Sequence, residues 1–346
     1  MSPVYLPFND WPSQDQEAWA TAIADGDILE GRGPAHHWRP ATRHTNTRHY
    51  ARWLSFVQPL TGLKGHPAHR VTKANVQAYV KQLQSSIAPR TVVSSLVGLK
   101  VMMKAMAPEG NWRWLEDICN RLNRNSKPVK DKRIRILDSG EIYQTTLKYL
   151  DRLTKTGLNK RKQLVGFRNG LMVALMAARP LRRKNFADLT IGTTIRPIGD
   201  EWLIKIPGRE TKNGQPLEFE LPDSLIPYLE TYFIRVRARI AKPTEPALWI
   251  SWGGDKMAYH MVYIAFTRIT KELFGKSINP HLFRDCAATT LASKSLKAVM
   301  AAPGLLGHKR LETTEKHYIH ARQLEASRTM NGILAGLAKQ RRSRMH

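Results

Sequence analysis

The spacing of apolar residues divides the chain into a helical half and a mixed half. From Thr45 onward, apolar side chains recur at intervals of three and four, the pattern of a helix with one buried face. Thr72 is a favourable N-cap for the second of these helices, and Pro89 suits the first turn of the third. The four predicted helices cover about 45–57, 73–83, 89–106 and 112–122.

The second half contains both helical and strand-like patterns. Asp138 and Ser139 begin a helix towards Leu150, and 164–178 is apolar enough for a buried helix. Two strand-like runs, 202–206 and 217–221, are separated by the turn signal Asn213-Gly214 and predict an antiparallel pair. Further helices are predicted over about 223–240, 259–274, 280–293, 295–302, 311–319 and 322–338. Helices around a small antiparallel sheet define an α+β domain, so the fold class is an α-helical N-terminal domain followed by an α+β domain.

Punctuation by proline, glycine and charge predicts the domain boundaries. Residues 1–40 are acidic and irregular, apart from a short helix over 17–28. A helical domain spans 41–125, and a basic linker follows over 126–135. The remainder, 136–346, forms the second domain and ends in a helical tail.

The charge distribution points to a polyanionic ligand. The chain has 55 Lys and Arg residues against 28 Asp and Glu residues, a net charge of +27. Residues 1–30 carry a net charge of −6, whereas 31–128 carry +13 and 129–346 carry +20. Both basic segments could follow a phosphate backbone, although charge alone does not separate DNA from RNA or from a solvated basic surface.

Several classes of protein are disfavoured by the sequence. No stretch approaches the roughly 18 apolar residues of a membrane span, and the first residues lack the basic and apolar regions of a signal peptide. Cys119 and Cys286 form no CxxC pair, so neither a zinc site nor a disulfide framework is expected. We therefore expect a cytoplasmic protein with no membrane partner.

His281 and Arg284 are the first candidate site residues. They follow Asn279-Pro280, a sequence that favours a helix start, and their spacing of three places them on one helical face. An imidazole and a guanidinium there could grip one phosphodiester, with the arginine donating to the non-bridging oxygens. Alone, the same spacing would more often describe a surface pair.

His308 and Tyr318 form the second candidate group. His308 ends the sequence Leu-Leu-Gly-His, and Tyr318 follows ten residues later. A tyrosine hydroxyl has an ordinary pKa of about 10, so it needs charged or hydrogen-bonding neighbours to act as a nucleophile. An isolated tyrosine here would more often be a half-buried helix residue.

Arg182 and Lys212 complete the candidates. Arg182 lies with Arg183 and Lys184 where the apolar sequence of the predicted buried helix ends, a pattern also typical of a charged helix start. Lys212 lies at the tip of the predicted hairpin, where most lysines are only solvated. Neither residue is informative by itself.

The order of these features is what carries information. An arginine, a hairpin lysine, HxxR, LxGH and a tyrosine within about 140 residues resemble the catalytic signature of the tyrosine recombinases, the phage integrase family. The resemblance covers most of 129–346, and 135–142 also looks like the start of that family's catalytic domain. Residues 45–122 are similar to the family's helical core-binding domain, through less specific motifs.

The resemblance implies a chemical role for each candidate. It implies that Tyr318 attacks the scissile phosphate and forms a 3′-phosphotyrosyl bond, with Lys212 as the general acid for the departing 5′ oxygen. His308 would then hydrogen-bond the phosphate. The covalent intermediate conserves the bond energy for rejoining, and the family uses neither metal nor cofactor.

Arg182, Arg284 and His281 receive the remaining roles. The resemblance implies that the two arginines hold the non-bridging oxygens and offset the charge of the phosphorane. His281 would support proton movement at the tyrosine. Arg182 is preferred to Arg183 because it sets the following Phe186 and Leu189 at the family's apolar positions.

Three features depart from the family pattern. Pro180 replaces a common glycine, and Asn185 replaces an acid three residues after the arginine, so Arg182 loses a charged neighbour. Asp285 follows Arg284 where the family often has histidine. The step to Tyr318 is one residue longer than the commonest spacing, which would place the nucleophile at His317, a residue unable to do this chemistry.

The sequence thus predicts a site-specific recombinase or integrase of a mobile element. The resemblance implies double-stranded DNA as partner, a tetramer on two DNA sites and compatibility with accessory DNA-bending proteins. The apolar stripe of the tail, 321–337, suits docking either on its own domain or on a neighbouring protomer. The alternatives are a type IB topoisomerase, a telomere resolvase, or a catalytically silent DNA-binding protein of the same fold.

Overall fold

The computed structural model describes residues 4–27, 31–126, 131, 133–199, 201–212 and 214–294. The chain divides into two compact units, the N-terminal unit of residues 1–131 and the C-terminal unit of residues 132–346. No helix in the described ranges is both long and apolar enough to cross a membrane. The helices predicted over 295–302, 311–319 and 322–338 lie outside the described residues.

Helices make up the regular structure described in the N-terminal unit, and all four predicted ones are present. The longest, α2, starts five residues earlier than predicted because Pro40 occupies its first turn, where a missing N–H costs nothing. Thr72 caps α4 by accepting a hydrogen bond from the backbone N–H of Asn75. The helices are α1 Ser13–Ile23, α2 Pro40–Thr61, α3 Pro67–Arg70, α4 Lys73–Gln84, α5 Pro89–Met106 and α6 Arg113–Asn125.

The first forty residues are more ordered than the sequence suggested. Their helix, α1, begins four residues earlier than expected and ends before Asp25. Trp11 and Trp19 are buried in the same core as Trp53 of α2 and Leu96 of α5. Two of the prolines that suggested irregular chain directly precede helical turns, Pro7 before the 3₁₀ turn Phe8–Asp10 and Pro12 before α1.

A buried ionic group attaches α1 to the rest of the N-terminal unit. The Arg70 guanidinium forms a salt bridge with the Asp15 carboxylate, and both side chains are almost fully buried. The Tyr50 hydroxyl donates a hydrogen bond to the same carboxylate. Arg70 Nη1 also donates to the carbonyl oxygens of Leu63, at 3.0 Å, and Gly65, at 2.7 Å. The buried charges are therefore paired and hydrogen-bonded within the unit.

The C-terminal unit places helices around a small sheet. The Asp138 side chain caps α7 by accepting from the backbone N–H groups of Gly140 and Glu141, as its sequence position predicts. The central helix, α8, is buried along most of its length and packs against α7, α11 and α12. The helices are α7 Ser139–Thr156, α8 Arg161–Ala178, α9 Arg183–Ala187, α10 Ile226–Thr231, α11 Tyr259–Phe274 and α12 Pro280–Lys294.

The sheet has three antiparallel strands in the order β1-β2-β3. The two predicted strands correspond to β2 Glu201–Ile206 and β3 Leu217–Glu220. The first, β1 Ile195–Ile198, was not predicted. Its Pro197 is tolerated because β1 lies at an edge of the sheet. The core side of the sheet is marked by the pairing of Ile204 with both Ile195 and Phe219.

The predicted helix over 223–240 is helical but not uniform. It consists of a 3₁₀ turn, Asp223–Leu225, then α10, a π-helical segment, Tyr232–Val236, and a second 3₁₀ turn, Arg237–Arg239. Tyr232 is buried there, and its hydroxyl donates to the carbonyl oxygen of Leu248. The periodicity of apolar residues alone cannot predict a change from α-helix to π- or 3₁₀-helix within one helical segment.

Candidate active site

Arg182 lies where the chain leaves the core of the C-terminal unit. Helix α8 ends at Ala178, and Arg182 becomes the N-cap of the short helix α9 after an extended turn. Leu181, just before it, is buried, so the arginine starts from a fixed position at the core's edge. Its side chain is half-buried, and this burial lowers its pKa.

Arg284 reaches the same neighbourhood from α12. The Asn279 side chain caps this helix by accepting from the backbone N–H groups of His281, at 3.0 Å, and Leu282, at 3.1 Å. Arg284 lies one turn further along, is only 7% exposed, and donates from Nη1 to the carbonyl oxygen of Pro180 at 2.7 Å. Because Pro180 is two residues before Arg182, this bond holds the two arginines at one place.

The electrostatics of this pair are unfavourable by themselves. The pKa of Arg284 is lowered to about 10, mainly by burial and also by the positive charge of Arg182, while Asp285 opposes the shift. Two guanidinium groups that disfavour each other's charge form a site that an oxyanion would stabilise. Arginines suit this task because each can donate two parallel hydrogen bonds to a phosphate.

His281 lies in the first turn of α12, three residues before Arg284. Its side chain is exposed, whereas Leu282 and Phe283 beside it are buried. The predicted helix start at Asn279-Pro280 is therefore present, and it carries both members of the HxxR motif. The imidazole is accessible to a ligand at the surface.

Lys212 lies in a ten-residue connection, 207–216, rather than at the tip of a tight hairpin. The connection is constrained by Thr211, whose buried Oγ1 lies 2.9 Å from the Gly208 carbonyl oxygen and 2.8 Å from that of Gln215. Gly208 approaches the backbone of Gly214 so closely that a Cβ there would clash. Lys212 itself is exposed, on a loop whose base is fixed.

Asn185 connects this loop to the helix that begins at Arg182. Its side chain is 5% exposed, and Nδ2 donates to the carbonyl oxygen of Glu210 at 3.0 Å. Glu210 lies two residues before Lys212, so the bond fixes the lysine loop relative to α9. This contact gives the departure from the family pattern at Asn185 a physical role that sequence reasoning did not identify.

Arg183 points to a different place from Arg182. Its guanidinium carbon lies 3.8 Å from the centroid of the Tyr259 ring and 5.8 Å from that of Tyr263, both on α11. Further along α9, Asp188 accepts hydrogen bonds from Lys184 and Lys256. The two adjacent arginines are thus distinguished by what they contact, which the sequence could not show.

The structure locates four of the six predicted site residues. It brings Arg182 and Arg284 together, places His281 on the helix of Arg284, and ties the Lys212 loop to α9. His308 and Tyr318 lie outside the described residues. Within the described ranges, no group of three or more His, Cys, Asp or Glu side chains is arranged to hold a metal ion.

The sequence matches a known protein family. The sequence profile of the "Phage integrase family" matches residues 147–325, just over half of the chain. A comparison with curated protein sequences gives no match.

Solved structures show the same fold. One is the XerH site-specific recombinase bound to palindromic difH substrate in a post-cleavage complex: its TM-score is 0.57 at 16% identity, over 82% of this chain and 79% of that chain. The pre-cleavage XerH complex has a TM-score of 0.56 at 15% identity, over 78% and 74%. The Tn1549 transposon integrase, in complex with a circular intermediate DNA, has 0.52 at 12% identity, over 85% and 95%. Identities this low establish likeness of fold.

Proposed function

The chain belongs to the phage integrase family, the tyrosine recombinases that break and rejoin DNA strands, and we propose that Arg182 and Arg284 bind the phosphate at which the strand is cut. The observation that carries this proposal is the juxtaposition of the two guanidinium groups, fixed by the bond from Arg284 to the Pro180 carbonyl. A phosphorane carries more negative charge than the phosphodiester it forms from. Such a pair therefore stabilises the transition state more than the ground state.

Tyr318 supplies the nucleophile in this proposal. Its hydroxyl oxygen attacks phosphorus, the bond from phosphorus to the 5′ oxygen breaks, and a 3′-phosphotyrosyl bond replaces it. The Tyr318 proton leaves with help from His281, and Lys212 protonates the departing 5′ oxygen. His308 donates a hydrogen bond to the phosphate. Attack by a 5′ hydroxyl on the phosphotyrosine reverses every step and rejoins a strand.

The same proposal assigns the partners. The substrate is double-stranded DNA, supported by the net charge of +20 over 129–346 and by fold neighbours that were solved with DNA. The N-terminal unit acts as a core-binding domain, and a tetramer assembles on two DNA sites, with accessory DNA-bending proteins as compatible partners. The likeness to a transposon integrase supports a role in a mobile element, in the cytoplasm with the DNA.

A suicide substrate tests the nucleophile directly. On a nicked duplex that loses its 5′ fragment after cleavage, the natural chain should accumulate a covalent protein–DNA adduct. Tyr318→Phe removes one oxygen and keeps the ring, so it should form no adduct while its DNA affinity stays within about twofold, or 0.4 kcal/mol.

His317→Ala is the control for the unusual spacing and should still form the adduct. Peptide mapping of the adduct by mass spectrometry names the linked residue. Full adduct formation by Tyr318→Phe, or linkage through another tyrosine, would refute the assignment.

Two alternatives make different predictions. A type IB topoisomerase or telomere resolvase shares the chemistry, but a topoisomerase would relax supercoiled plasmids that lack a specific site. A catalytically silent DNA-binding protein would give no adduct on any substrate. The presence of all six residue types in the expected order favours the active recombinase.

A further inference from the structure

Arg183 forms an exposed cluster of a cation and two aromatic rings on the C-terminal unit. Its guanidinium is stacked 3.8 Å above the Tyr259 ring and lies 5.8 Å from the Tyr263 ring. The two tyrosines are 46% and 41% exposed, in the first two turns of α11. Exposed hydrophobic residues that lie together mark interaction surfaces more often than single exposed residues do.

The stacked geometry prepares Arg183 for an anion. Among the described residues, the rings of Tyr259 and Tyr263 contact this guanidinium, and no carboxylate forms an ion pair with it. An arginine stacked on a ring uses its face for the ring and keeps its edge donors for a bidentate acceptor. Stacking also limits the rotamer freedom that binding would otherwise remove.

The position of Arg183 restricts what that anion can be. It is the residue after Arg182, which the proposed function places at the scissile phosphate. Adjacent Cα atoms lie only about 3.8 Å apart, but the two guanidinium groups have different surroundings, Arg182 beside Arg284 and Arg183 against the tyrosines of α11. A duplex held at Arg182 therefore brings a neighbouring phosphate within reach of Arg183.

From this we infer that Arg183, presented by Tyr259 and Tyr263, binds a phosphate of the DNA backbone next to the scissile one and so fixes the register of the duplex at the active site. The inference rests on the proposed function for its location. Its chemistry, a bidentate arginine on a phosphate, is independent of base sequence. Arg183 is thus a positioning residue rather than a third catalytic arginine.

A purely structural role is the competing interpretation. The stack also connects α9 to α11, so it could contribute to folding without contacting DNA. The chain contains a matched case, because Arg161 lies 4.7 Å from the ring of Trp252, which is 42% exposed. Arg161 is the first residue of the 18-residue helix α8, and Arg182 lies just beyond its last residue. The two pairs of arginine and aromatic ring are therefore separated by about 25 Å along this helix.

The test is the salt dependence of binding by the full chain to a labelled 30-base-pair duplex of arbitrary sequence. Loss of one phosphate contact reduces the slope of log affinity against log salt by about 0.9. Arg183→Gln should therefore narrow the affinity ratio between 50 and 200 mM salt about 3.5-fold relative to the natural chain. Arg161→Gln should leave the ratio unchanged, although it removes the same charge and the same kind of stack.

Equal slopes for the natural chain and Arg183→Gln, or equal losses for both variants, would overturn the inference in favour of a structural stack or a general charge effect. If Arg183→Gln fails to fold, Tyr259→Leu serves as the second variant. We expect Tyr259→Leu to bind DNA more weakly than Tyr259→Phe, which keeps the ring. Binding is measured without cleavage. A negative result for Arg183 therefore leaves the assignment of Tyr318 intact. If Tyr318 is not the nucleophile, the salt dependence of binding can still be measured.

Discussion

The two units bury arginines in opposite electrostatic settings. In the N-terminal unit, burial opposes the charge of Arg70, but its bonds to the Asp15 carboxylate outweigh that cost and raise its pKa. In the C-terminal unit, burial lowers the pKa of both Arg182 and Arg284, and the charge of Arg182 lowers that of Arg284 further. The charged form of Arg70 is thus stabilised by its surroundings in the fold, whereas the charged forms of Arg182 and Arg284 are destabilised by theirs.

This difference separates a structural cation from a functional one. A guanidinium that already holds a carboxylate has little to offer a ligand, and removing it leaves a buried acid without its partner. A guanidinium held beside another cation gains most when an anion arrives. Arg70 and Arg284 are alike in residue type and in burial, at 2% and 7% exposed, so the identity of the neighbours decides the role.

The largest effect should come from Arg284→Met. Methionine fills a similar volume, and the change removes a buried charge that Arg182 disfavours, so the melting temperature should change by only a few degrees. Because the phosphate loses the two parallel hydrogen bonds from Arg284, adduct formation on the suicide substrate should slow by about 10³-fold or more. Circular dichroism melts and single-turnover kinetics measure the two quantities. A variant that keeps its activity, or that simply unfolds, would break the comparison.

The opposite outcome is expected for Arg70→Met. Asp15 would remain buried with only Tyr50 and no cation, and the free energy of unfolding should fall by about 3 kcal/mol. The folded fraction should still form the adduct. Denaturant melts measure the loss, and the double variant Asp15→Leu with Arg70→Met is the control because it removes both charges. If the double variant is as unstable as the single one, the ion pair is not the cause.

Periodicity and capping signals were sufficient for most elements. The starts of α4, α7 and α12 follow the capping residues Thr72, Asp138 and Asn279, and α5 begins at Pro89; the local preferences of these residues act over one turn. The early start of α1 was missed because proline was interpreted as a breaker, and the short segment 195–198 was not recognised as a strand. Proline is compatible with an edge strand and with the residue before a helix, and only tertiary context distinguishes these cases.

The sequence offers candidate site residues by type and order but gives no contacts between them. The order of motifs identified Arg182 and Arg284 through family resemblance. That Arg284 binds the Pro180 carbonyl, and that Asn185 reaches Glu210, depends on pairs 104 and 25 residues apart in sequence. Contacts of that separation are set by packing of the whole unit, and no local pattern encodes them.

Asn185 offers a test of how the cationic site is held in place. Asn185→Asp restores the acid common in the family, but a carboxylate cannot donate to the Glu210 carbonyl and would face it as a second acceptor. A buried unmatched acceptor costs about 1–3 kcal/mol, so the loop of Lys212 should loosen and adduct formation should slow about tenfold. Asn185→Ala, which lacks the donor without adding charge, should slow it to a similar or smaller extent. An aspartate variant as fast as the natural chain would show that the hydrogen bond to Glu210 is dispensable.

The smallest effect concerns Asp188, which follows the last residue of α9 and accepts hydrogen bonds from Lys256 and Lys184. Partial burial opposes its ionisation, but the two lysines outweigh this and lower its pKa. A lowered folded-state pKa means that the contribution to stability is fully present above the ordinary carboxyl pKa of about 4 and is lost as pH falls through the lower folded value. Because these side chains are a third to two-thirds exposed, solvent screening limits the contribution to about 0.5 kcal/mol.

Asp188→Asn should therefore reduce the free energy of unfolding by about that amount at pH 7 and have no effect near pH 2, which urea melts at the two pH values can measure. An equal loss at both pH values would assign the effect to packing or to the helix end, and the lysine pair would then have no part in fixing α9 beneath Arg182.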